Sequence, residues 1–332
     1  METFNRRRLI IGGALLAMKA ALAPAADEPA PPPPATLPDN WRRAPSIALW
    51  PGAAPGASGY RAQPLPAGWS SAYRRNIESP ELQVFRPRRP NGVAVLVIPG
   101  GAYWFVSVVN EGAELAPRLT ARGYTVFVLT YRLPGEGWNS RADVPLQDAQ
   151  RALRLIRSRA AEFRIDPART AVIGFSAGGH LAATLATQHG ESTYAAVDAA
   201  DALDATPYAV ALIYPVVTLR DPWTHEMSRR LLLGEQATAA AIDRRSAELH
   251  VDSTTPPLLL VHAMDDTAVP VENSLRLMNA MREAGRPVEA HLLQEGGHAF
   301  GVGRPGTPSA QWIDLWSAWL ERLAPAAQPQ AR

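Results

Sequence analysis

The sequence predicts an α/β fold in which a mainly parallel central sheet is covered by helices on both faces. Short apolar runs alternate along the chain with longer amphipathic or Ala-rich segments, the pattern of repeated strand–helix units. One apolar run passes through a glycine-rich turn containing Ser176 and then into an Ala- and Leu-rich segment. The length of 332 residues suits one large domain, and the chain contains no internal repeat.

Strands are predicted where apolar and β-branched residues form short uninterrupted or alternating runs. They lie near residues 82–86, 93–98, 125–130, 170–173, 208–214, 257–262 and 288–293. Helices are predicted where apolar residues recur at three- and four-residue spacing or where Ala and Leu dominate. They lie near residues 111–122, 145–163, 177–189, 237–250, 271–284 and 310–323. Because helices separate most successive strands, those strands are expected to run parallel.

Both ends of the chain differ in composition from this domain. Residues 1–25 combine arginines at positions 6–8, a weakly apolar Gly/Ala-rich run, Lys19 and small residues around Ala25. This pattern predicts a cleaved export signal of the twin-arginine type and a periplasmic or secreted protein. Residues 26–40 are predicted to be a proline-rich disordered linker, 41–325 the folded domain and 326–332 a disordered tail.

Charge and composition exclude several classes of function. The 33 basic and 31 acidic residues become 29 and 30 without residues 1–25, so the net charge falls from +2 to −1. No basic stripe interleaved with aromatic residues remains, so no nucleic-acid partner is expected. The chain has no cysteine and no histidine pair at metal-binding spacing, so no metal is expected. Once the signal is removed, no stable membrane insertion is expected either.

Ser176 is the predicted nucleophile. Gly174, Ser176 and Gly178 form a G-x-S-x-G pattern between a predicted strand and a predicted helix, which is the context of a nucleophile elbow. The flanking glycines leave room for a sharp turn that forces the serine into a left-handed backbone conformation. This turn raises the serine oxygen above the sheet, at the positive end of the following helix.

A base and an acid follow in the chain order that such a serine requires. Asp266 lies after the apolar run 257–262, in an Asp-x-x-Val-Pro loop, and is the predicted acid. Asp265 is the alternative acid, although it could instead bind the loop backbone. His298, in a glycine-rich loop after the last strand, is the predicted base. His180 and His262 are expected to be structural or to support the site from behind. The remaining histidines are expected to be ordinary surface or core residues: His189, His225, His250 and His291.

A Pro-Gly-Gly-Ala-Tyr segment at residues 99–103 follows the predicted strand 93–98. The backbone N–H groups of Gly101 and Ala102, together with that of Ala177, are predicted to form an oxyanion hole. In the mechanism this predicts, His298 takes the serine proton, Ser176 attacks an acyl carbon, and Asp266 stabilises the imidazolium. Water then hydrolyses the acyl-enzyme and releases the carboxylic acid product.

These residues resemble the α/β-hydrolase superfamily and, within it, the carboxylesterase and acetyl-xylan-esterase-like family. The resemblance covers nearly the whole predicted domain and implies a single α/β-hydrolase domain that needs no cofactor. Two positions differ from the family pattern. Ala102 stands where the family has a glycine, and Pro99 stands where many esterases have a histidine. The motifs that carry it are residues 99–103, 131–133, 148–149, 165–169, 174–180, 266–270 and 296–298.

The expected substrate is a short-chain, chiefly acetyl, ester on a small molecule or an oligosaccharide, such as a fragment of acetylated xylan. Residues 190–205 and 220–245 are polar or charged, which disfavours the apolar lid of a lipase. Tyr103, Trp104 and Trp138 are candidate substrate-binding residues, or equally packing residues. A general short-chain carboxylesterase, or a related peptidase-like serine hydrolase, is the alternative function. A non-catalytic binding protein is disfavoured because the serine, aspartate and histidine are all present.

Overall fold

The computed structural model describes residues 35–323, all of which belong to one compact unit. The predicted export signal, most of the predicted linker and the predicted tail lie outside the described residues. Helix α1 (Asp39–Arg43) begins inside the predicted linker.

An eight-stranded sheet in the order β1-β3-β6-β4-β7-β8-β9-β10 forms the centre of the described residues. The six strands from β6 to β10 in that order run parallel, while β1 and β3 form an antiparallel edge. The predicted fold class is therefore confirmed. The sheet consists of β1 (Ser46–Ala48), β3 (Glu81–Phe85), β4 (Ala94–Ile98), β6 (Thr125–Thr130), β7 (Thr170–Phe175), β8 (Val210–Ile213), β9 (Leu258–Ala263) and β10 (Val288–Leu293).

Two features of the strands were not predicted. Strand β1 is only three residues long, too short to show an alternating pattern. A separate two-stranded sheet pairs β2 (Tyr73–Arg74) with β5 (Val106–Ser107). The second sheet matters for the site because β5 directly follows the glycine-rich segment at residues 99–103.

Helices pack against the sheet in the positions that parallel connections require. Helix α2 contacts β6, α5 contacts β7 and β8, and α8 contacts β9 and β10. Beyond α1, the helices are α2 (Leu115–Thr120), α3 (Val144–Ser158), α4 (Ala160–Phe163), α5 (Ser176–Thr187), α6 (Glu226–Leu233), α7 (Ala239–Arg244), α8 (Glu272–Glu283) and α9 (Trp312–Leu323). No helix in the described range is long and apolar enough to span a membrane.

The predicted helix 111–122 is wrong in its first part. A π-helical turn, Val109–Ala113, precedes α2 and contains the buried Glu111. The predicted helix 237–250 is likewise split into α7 and a short 3₁₀ turn at Ala247–His250. Helix α6 was missed because it is only eight residues long, about two turns, which is too short for a clear periodic pattern.

Central strands are buried along their whole length. Every residue of β4, β7 and β9 is buried, whereas the edge strand β10 is only half-buried. Strands covered on both faces must be apolar at every position, which explains the uninterrupted apolar runs in the sequence. The carboxyl ends of β4, β7, β8 and β9 lie side by side, and the site is built there.

Candidate active site

Ser176 lies at the junction between β7 and α5, in a strained turn. Its φ is +50° and only 7 % of its surface is exposed. A Cβ on Gly174 would lie 2.5 Å from Ala182 Cβ, and a Cβ on Gly178 would lie 2.3 Å from Ile98 O. Only glycine fits at these two positions, because the turn brings helix and strands into contact around the serine.

Three predicted residues from distant parts of the chain meet at this turn. His298 Nε2 lies 2.9 Å from Ser176 Oγ, and His298 Nδ1 lies 2.7 Å from Asp266 Oδ2. The imidazole therefore bridges the hydroxyl and the carboxylate, as a base between a nucleophile and an orienting acid does. Asp266 is 8 % exposed and His298 is half-buried, so a substrate can approach the serine while the acid stays shielded.

Asp266 is held as a carboxylate by its surroundings. Its Oδ1 accepts hydrogen bonds from the N–H groups of Ala268 and Val269, both at 2.9 Å. Burial alone would raise the pKa of Asp266, but hydrogen bonds from His262, His298 and Val269 outweigh it and hold the pKa well below its usual range. Asp266 is therefore a carboxylate at neutral pH.

Asp265 faces a different group. It is exposed, and its Oδ1 accepts a hydrogen bond from Gly297 N–H at 2.8 Å. This contact joins the loop of His298 to the end of β9, and the imidazole of His298 contacts Asp266 instead. The geometry thus brings Asp266, rather than Asp265, to the histidine.

Backbone donors of the 99–103 segment lie against the serine. A Cβ on Gly100 would be 2.8 Å from Ser176 Cβ, so the segment passes directly beside the nucleophile. Gly101, Ala102 and Tyr103 have φ values of +126°, +56° and +61°. Among the described residues the N–H groups of Gly101 and Ala102 have no acceptor. Ala177, in the first turn of α5, likewise has an N–H with no intrahelical acceptor.

Residues 82–281 match the protein-family model BD-FAE. The match extends over more than half of the chain. This chain belongs to the BD-FAE family. The family is an esterase family of the α/β-hydrolase superfamily, so the predicted membership in that superfamily is confirmed.

Individual relatives agree with the family assignment. The chain is 30% identical over 255 residues to an acetylxylan esterase of Xylanibacter ruminicola, covering 76% of this chain and 50% of that protein. It is 28% identical to esterase LipC of Mycobacterium tuberculosis, covering 71% of this chain and 60% of that protein. The chain thus spans about half the length of the curated relatives it matches.

A solved structure covers more of the fold. The acetyl ester-xyloside bifunctional hydrolase from Caldicellulosiruptor lactoaceticus superposes with a TM-score of 0.71 at 31% identity, covering 85% of this chain and 97% of that chain. A carboxylesterase from Lactobacillus plantarum has a TM-score of 0.63 at 24% identity, covering 75% of this chain and 95% of that one. The second likeness supports the fold alone.

The aromatic residues predicted to bind substrate in this BD-FAE chain lie mainly in the interior. Tyr103 is 2 % exposed, and its hydroxyl lies 2.8 Å from His180 Nδ1. Trp138 is buried, with its ring centroid 4.7 Å from that of Tyr60. Trp104 is 7 % exposed and packs edge-on against Trp69 at 5.1 Å. Their role in substrate binding stays a prediction.

Phe105, two residues after the 99–103 segment, is a further aromatic residue that lies against Gly101. A Cβ on Gly101 would be 2.6 Å from Phe105 Cδ2, so this half-buried ring covers the Gly101 backbone. The Phe105 ring is backed by Tyr73 at 5.0 Å and by Trp69 at 6.0 Å between centroids. The ring therefore lies beside the Gly101 backbone, one residue from the Gly100 position that contacts Ser176.

Sequence reasoning missed several residues around the BD-FAE site. Glu111 was assigned to a covering helix, but its carboxylate binds Gly100 N–H beside the serine. Tyr214 follows β8 directly, and its ring lies 4.9 Å from that of His298. Its position at the carboxyl end of a central strand was a signal that could have found it. His225 was expected to be an ordinary residue; burial and then the charge of His298 lower its pKa to about 4.

Across residues 35–323 no group of three or more His, Cys, Asp or Glu side chains could hold a metal ion. His262 and His180 both lie behind the site and bind protein atoms with both ring nitrogens. The arrangement instead suits acyl transfer by a serine.

Proposed function

We propose that this chain is a serine esterase that hydrolyses short-chain, chiefly acetyl, esters through Ser176, His298 and Asp266. The observation that carries the proposal is the continuous hydrogen-bonded chain through these residues, with contacts of 2.9 and 2.7 Å. Membership in an esterase family supports it independently.

The proposed mechanism follows from the position of each group. His298 Nε2 removes the Ser176 proton as Oγ attacks the acyl carbon, and Asp266 stabilises the resulting imidazolium. The developing oxyanion accepts hydrogen bonds from the N–H groups of Gly101, Ala102 and Ala177. Each such donor typically lowers the barrier by about 3–4 kcal/mol. The imidazolium then protonates the leaving alcohol, and a water activated by His298 releases the acid.

The proposed substrates are acetylated sugars derived from xylan. Two relatives support this class by name, the acetylxylan esterase and the acetyl ester-xyloside hydrolase. The half-buried Phe105 ring beside Gly101 offers a flat apolar surface on which a sugar ring can stack. An acetyl group is small enough to leave that surface to the alcohol side of the ester.

Acetate release by the protein from acetylated xylo-oligosaccharides tests this proposal, run beside p-nitrophenyl esters of increasing acyl length. We expect rapid acetate release, a steep fall in rate beyond acetyl, and loss of both activities in Ser176→Ala. A fluorophosphonate should label the native protein and not Ser176→Ala. Turnover of the nitrophenyl esters without sugar deacetylation would leave a general short-chain carboxylesterase. Turnover retained in Ser176→Ala would overturn the serine mechanism.

Phe105 provides a test of the sugar surface. Phe105→Leu keeps the apolar bulk but removes the aromatic face, so it should raise KM for the oligosaccharide several-fold and leave the kinetics of methyl acetate, whose alcohol side has no ring to stack, nearly unchanged. An equal change for both substrates would assign the ring to packing.

We also propose that residues 1–25 direct export to the periplasm or the exterior. The arginines at positions 6–8 and the small residues around Ala25 support this, and a polymeric substrate would require it. Replacing Arg6 and Arg7 by lysine should retain the protein in the cytoplasmic fraction. Unchanged export of that variant would exclude the twin-arginine route.

A further inference from the structure

Glu111 is a buried carboxylate that binds a donor on each oxygen. Only 3 % of the residue is exposed. Its Oε2 accepts a hydrogen bond from Gly100 N–H at 2.6 Å, and its Oε1 accepts one from the Tyr214 hydroxyl at 2.9 Å. Gly100 belongs to the oxyanion loop, defined here as residues 100–103. Glu111 therefore contacts the backbone that runs beside Ser176.

Tyr214 connects Glu111 to the other side of the site. Its hydroxyl oxygen accepts a hydrogen bond from Gly301 N–H at 3.0 Å. Its ring lies 4.9 Å from the His298 ring and 4.5 Å from the Phe300 ring, both edge-on. These contacts all fall on the histidine loop, defined here as residues 297–301. The backbone of Tyr214 has φ +39°, a strained value that positions the ring between β8 and this loop.

The turn that carries Glu111 also contacts the histidine loop directly. Asn110 Nδ2 donates to Ala299 O at 3.4 Å, and Asn110 Oδ1 would lie only 2.5 Å from a Cβ on Gly301. Asn110 and Glu111 both belong to the π-helical turn Val109–Ala113. Single π-helical turns of this kind occur frequently at functional sites, and here the turn reaches both loops with adjacent residues.

We propose that Glu111 is a positioning residue that fixes the oxyanion loop relative to the histidine loop. The consequence for catalysis rests on the proposed function, because the two loops supply the oxyanion donors and the base of the same reaction. A shift of either loop moves its groups away from the reacting carbonyl, and misplacement by about 1 Å can lower a rate roughly a hundredfold.

A carboxylate suits this position better than any neutral side chain. Both of its oxygens accept, and both facing groups are donors, whereas a glutamine presents one acceptor and one donor. In Glu111→Gln, an amide oxygen placed on Gly100 N–H leaves the NH₂ group facing Tyr214, so the Tyr214 O–H loses its acceptor and its oxygen has to accept from NH₂ as well as from Gly301 N–H. Burial raises the pKa of Glu111, while the hydrogen bonds from Gly100 and Tyr214 favour its ionised form.

Glu136 offers a matched control elsewhere in the chain. It is 2 % exposed, and its carboxylate accepts hydrogen bonds from Asn76 N–H at 2.5 Å and from Ile77 N–H at 3.1 Å. Burial raises its pKa as it does that of Glu111. Its hydrogen bonds reach neither loop, so Glu136→Gln reproduces the loss of a buried carboxylate without the proposed positioning role.

The test compares Glu111→Gln and Glu136→Gln by steady-state hydrolysis of p-nitrophenyl acetate, with active sites counted by a fluorophosphonate. We expect Glu111→Gln to lower kcat per active site at least tenfold with KM within about twofold, and Glu136→Gln to keep kcat near that of the parent. A Glu111→Gln variant with reduced melting temperature but unchanged kcat per active site would overturn the proposal.

Tyr214→Phe is the second variant, should Glu111→Gln not fold. It retains the ring beside His298 but removes the hydroxyl that joins Glu111 to Gly301, so it should also lower kcat. If both single variants fold, the double variant should lose less than the product of the single losses, because both act on one network. Multiplicative losses would count against a shared network.

Hydrogen exchange separates this proposal from the proposed function. Glu111→Gln should speed amide exchange in both the oxyanion loop and the histidine loop, whereas Glu136→Gln should speed it in neither. This readout does not require turnover, so it decides the positioning role even if the parent protein hydrolyses no ester. Unchanged exchange in the two loops would refute it.

Discussion

His262 Nε2 lies 3.2 Å from Asp266 Oδ2, the same oxygen that His298 Nδ1 approaches to 2.7 Å. The same nitrogen of His262 lies 3.0 Å from Val269 O, while its Nδ1 lies 2.8 Å from Ser274 Oγ. A carbonyl oxygen can only accept, so Nε2 carries a proton, while Nδ1 shares a hydrogen bond with the Ser274 hydroxyl. His262 is therefore a buried donor to the predicted acid.

The first prediction concerns this donor. His262→Gln should lower kcat roughly tenfold, because a hydrogen bond to a charged group contributes about 1.5–3 kcal/mol. Ser274→Ala is the control, since it removes only the partner of Nδ1 and leaves the Nε2–H bond to Asp266. Steady-state hydrolysis of p-nitrophenyl acetate measures both. Equal losses in the two variants would assign His262 to packing alone.

A second prediction separates the two adjacent aspartates. Asp266→Asn should lower kcat by about 10⁴, because an amide cannot hold the histidine in the required tautomer. Asp265→Asn removes only the charge from the contact with Gly297 N–H, so it should lower kcat a few-fold at most. The ratio of kcat values in these isosteric variants is the measurement. A larger loss in Asp265→Asn would move the acid to that position.

A third prediction concerns the buried ion pair of Arg132 and Asp148. Both side chains are fully buried, with Arg132 Nη2 at 2.8 Å from Asp148 Oδ1, and the carboxylate also accepts from Trp50 Nε1 at 2.9 Å. Asp148→Asn should lower the free energy of unfolding by roughly 3–5 kcal/mol, because it leaves a buried guanidinium without a counter-charge. Urea unfolding at neutral pH measures it.

Glu162→Gln, at the exposed pair with Arg86, is the control for this experiment. Exposed pairs contribute at most about 1 kcal/mol, so it should have little effect. Equal free energies of unfolding for Asp148→Asn and Glu162→Gln would contradict the prediction that burial makes the Arg132–Asp148 pair costly to break.

The fourth prediction is a pH dependence of stability due to His180. Burial lowers the pKa of this residue, which is 1 % exposed, to about 4. Its Nε2–H donates to Arg245 O and its Nδ1 accepts from the Tyr103 hydroxyl, so the folded protein holds a neutral ring. The unfolded chain takes up a proton below the ordinary histidine pKa of about 6.5. Uptake of this proton by the unfolded chain should therefore lower the free energy of unfolding by up to about 3 kcal/mol as the pH falls from 6.5 to about 4.

Urea unfolding at several pH values between 4 and 7 tests this expectation. His180→Gln should flatten the dependence of unfolding free energy on pH relative to the parent protein. An unchanged slope in His180→Gln would contradict the prediction.

Local sequence patterns were enough to predict the sheet and the residues of the proposed triad. The strand before Ser176 and the helix after it are both local, and the glycines around the serine are required by contacts within a few residues and with the adjacent strand. Asp266 and His298 could be placed because each follows a strand directly, and parallel strands bring their carboxyl ends together. Strand β1, with three residues, and helix α6, with eight, were missed because both are too short to show a clear period.

Glu111 could not be found in this way. Glu111 contacts Gly100 and Tyr214, and the second contact spans 103 positions of the chain. No local pattern in the sequence indicates that an acidic residue in a helix-like segment will point inward. Its place depends on a π-helical turn that contacts the oxyanion loop and the histidine loop.

The sequence by itself determined the α/β class, the order of the parallel strands along the chain, and the serine, aspartate and histidine at their ends. These features depend on short-range periodicity and on turn chemistry, which neighbouring residues determine. Only the tertiary structure decided that Asp266 and not Asp265 meets the histidine, that Tyr103 points inward to His180, and that Glu111 contacts the oxyanion loop and, through Tyr214, the histidine loop. Those outcomes depend on side-chain directions and distances between segments far apart in the chain, and packing alone sets these.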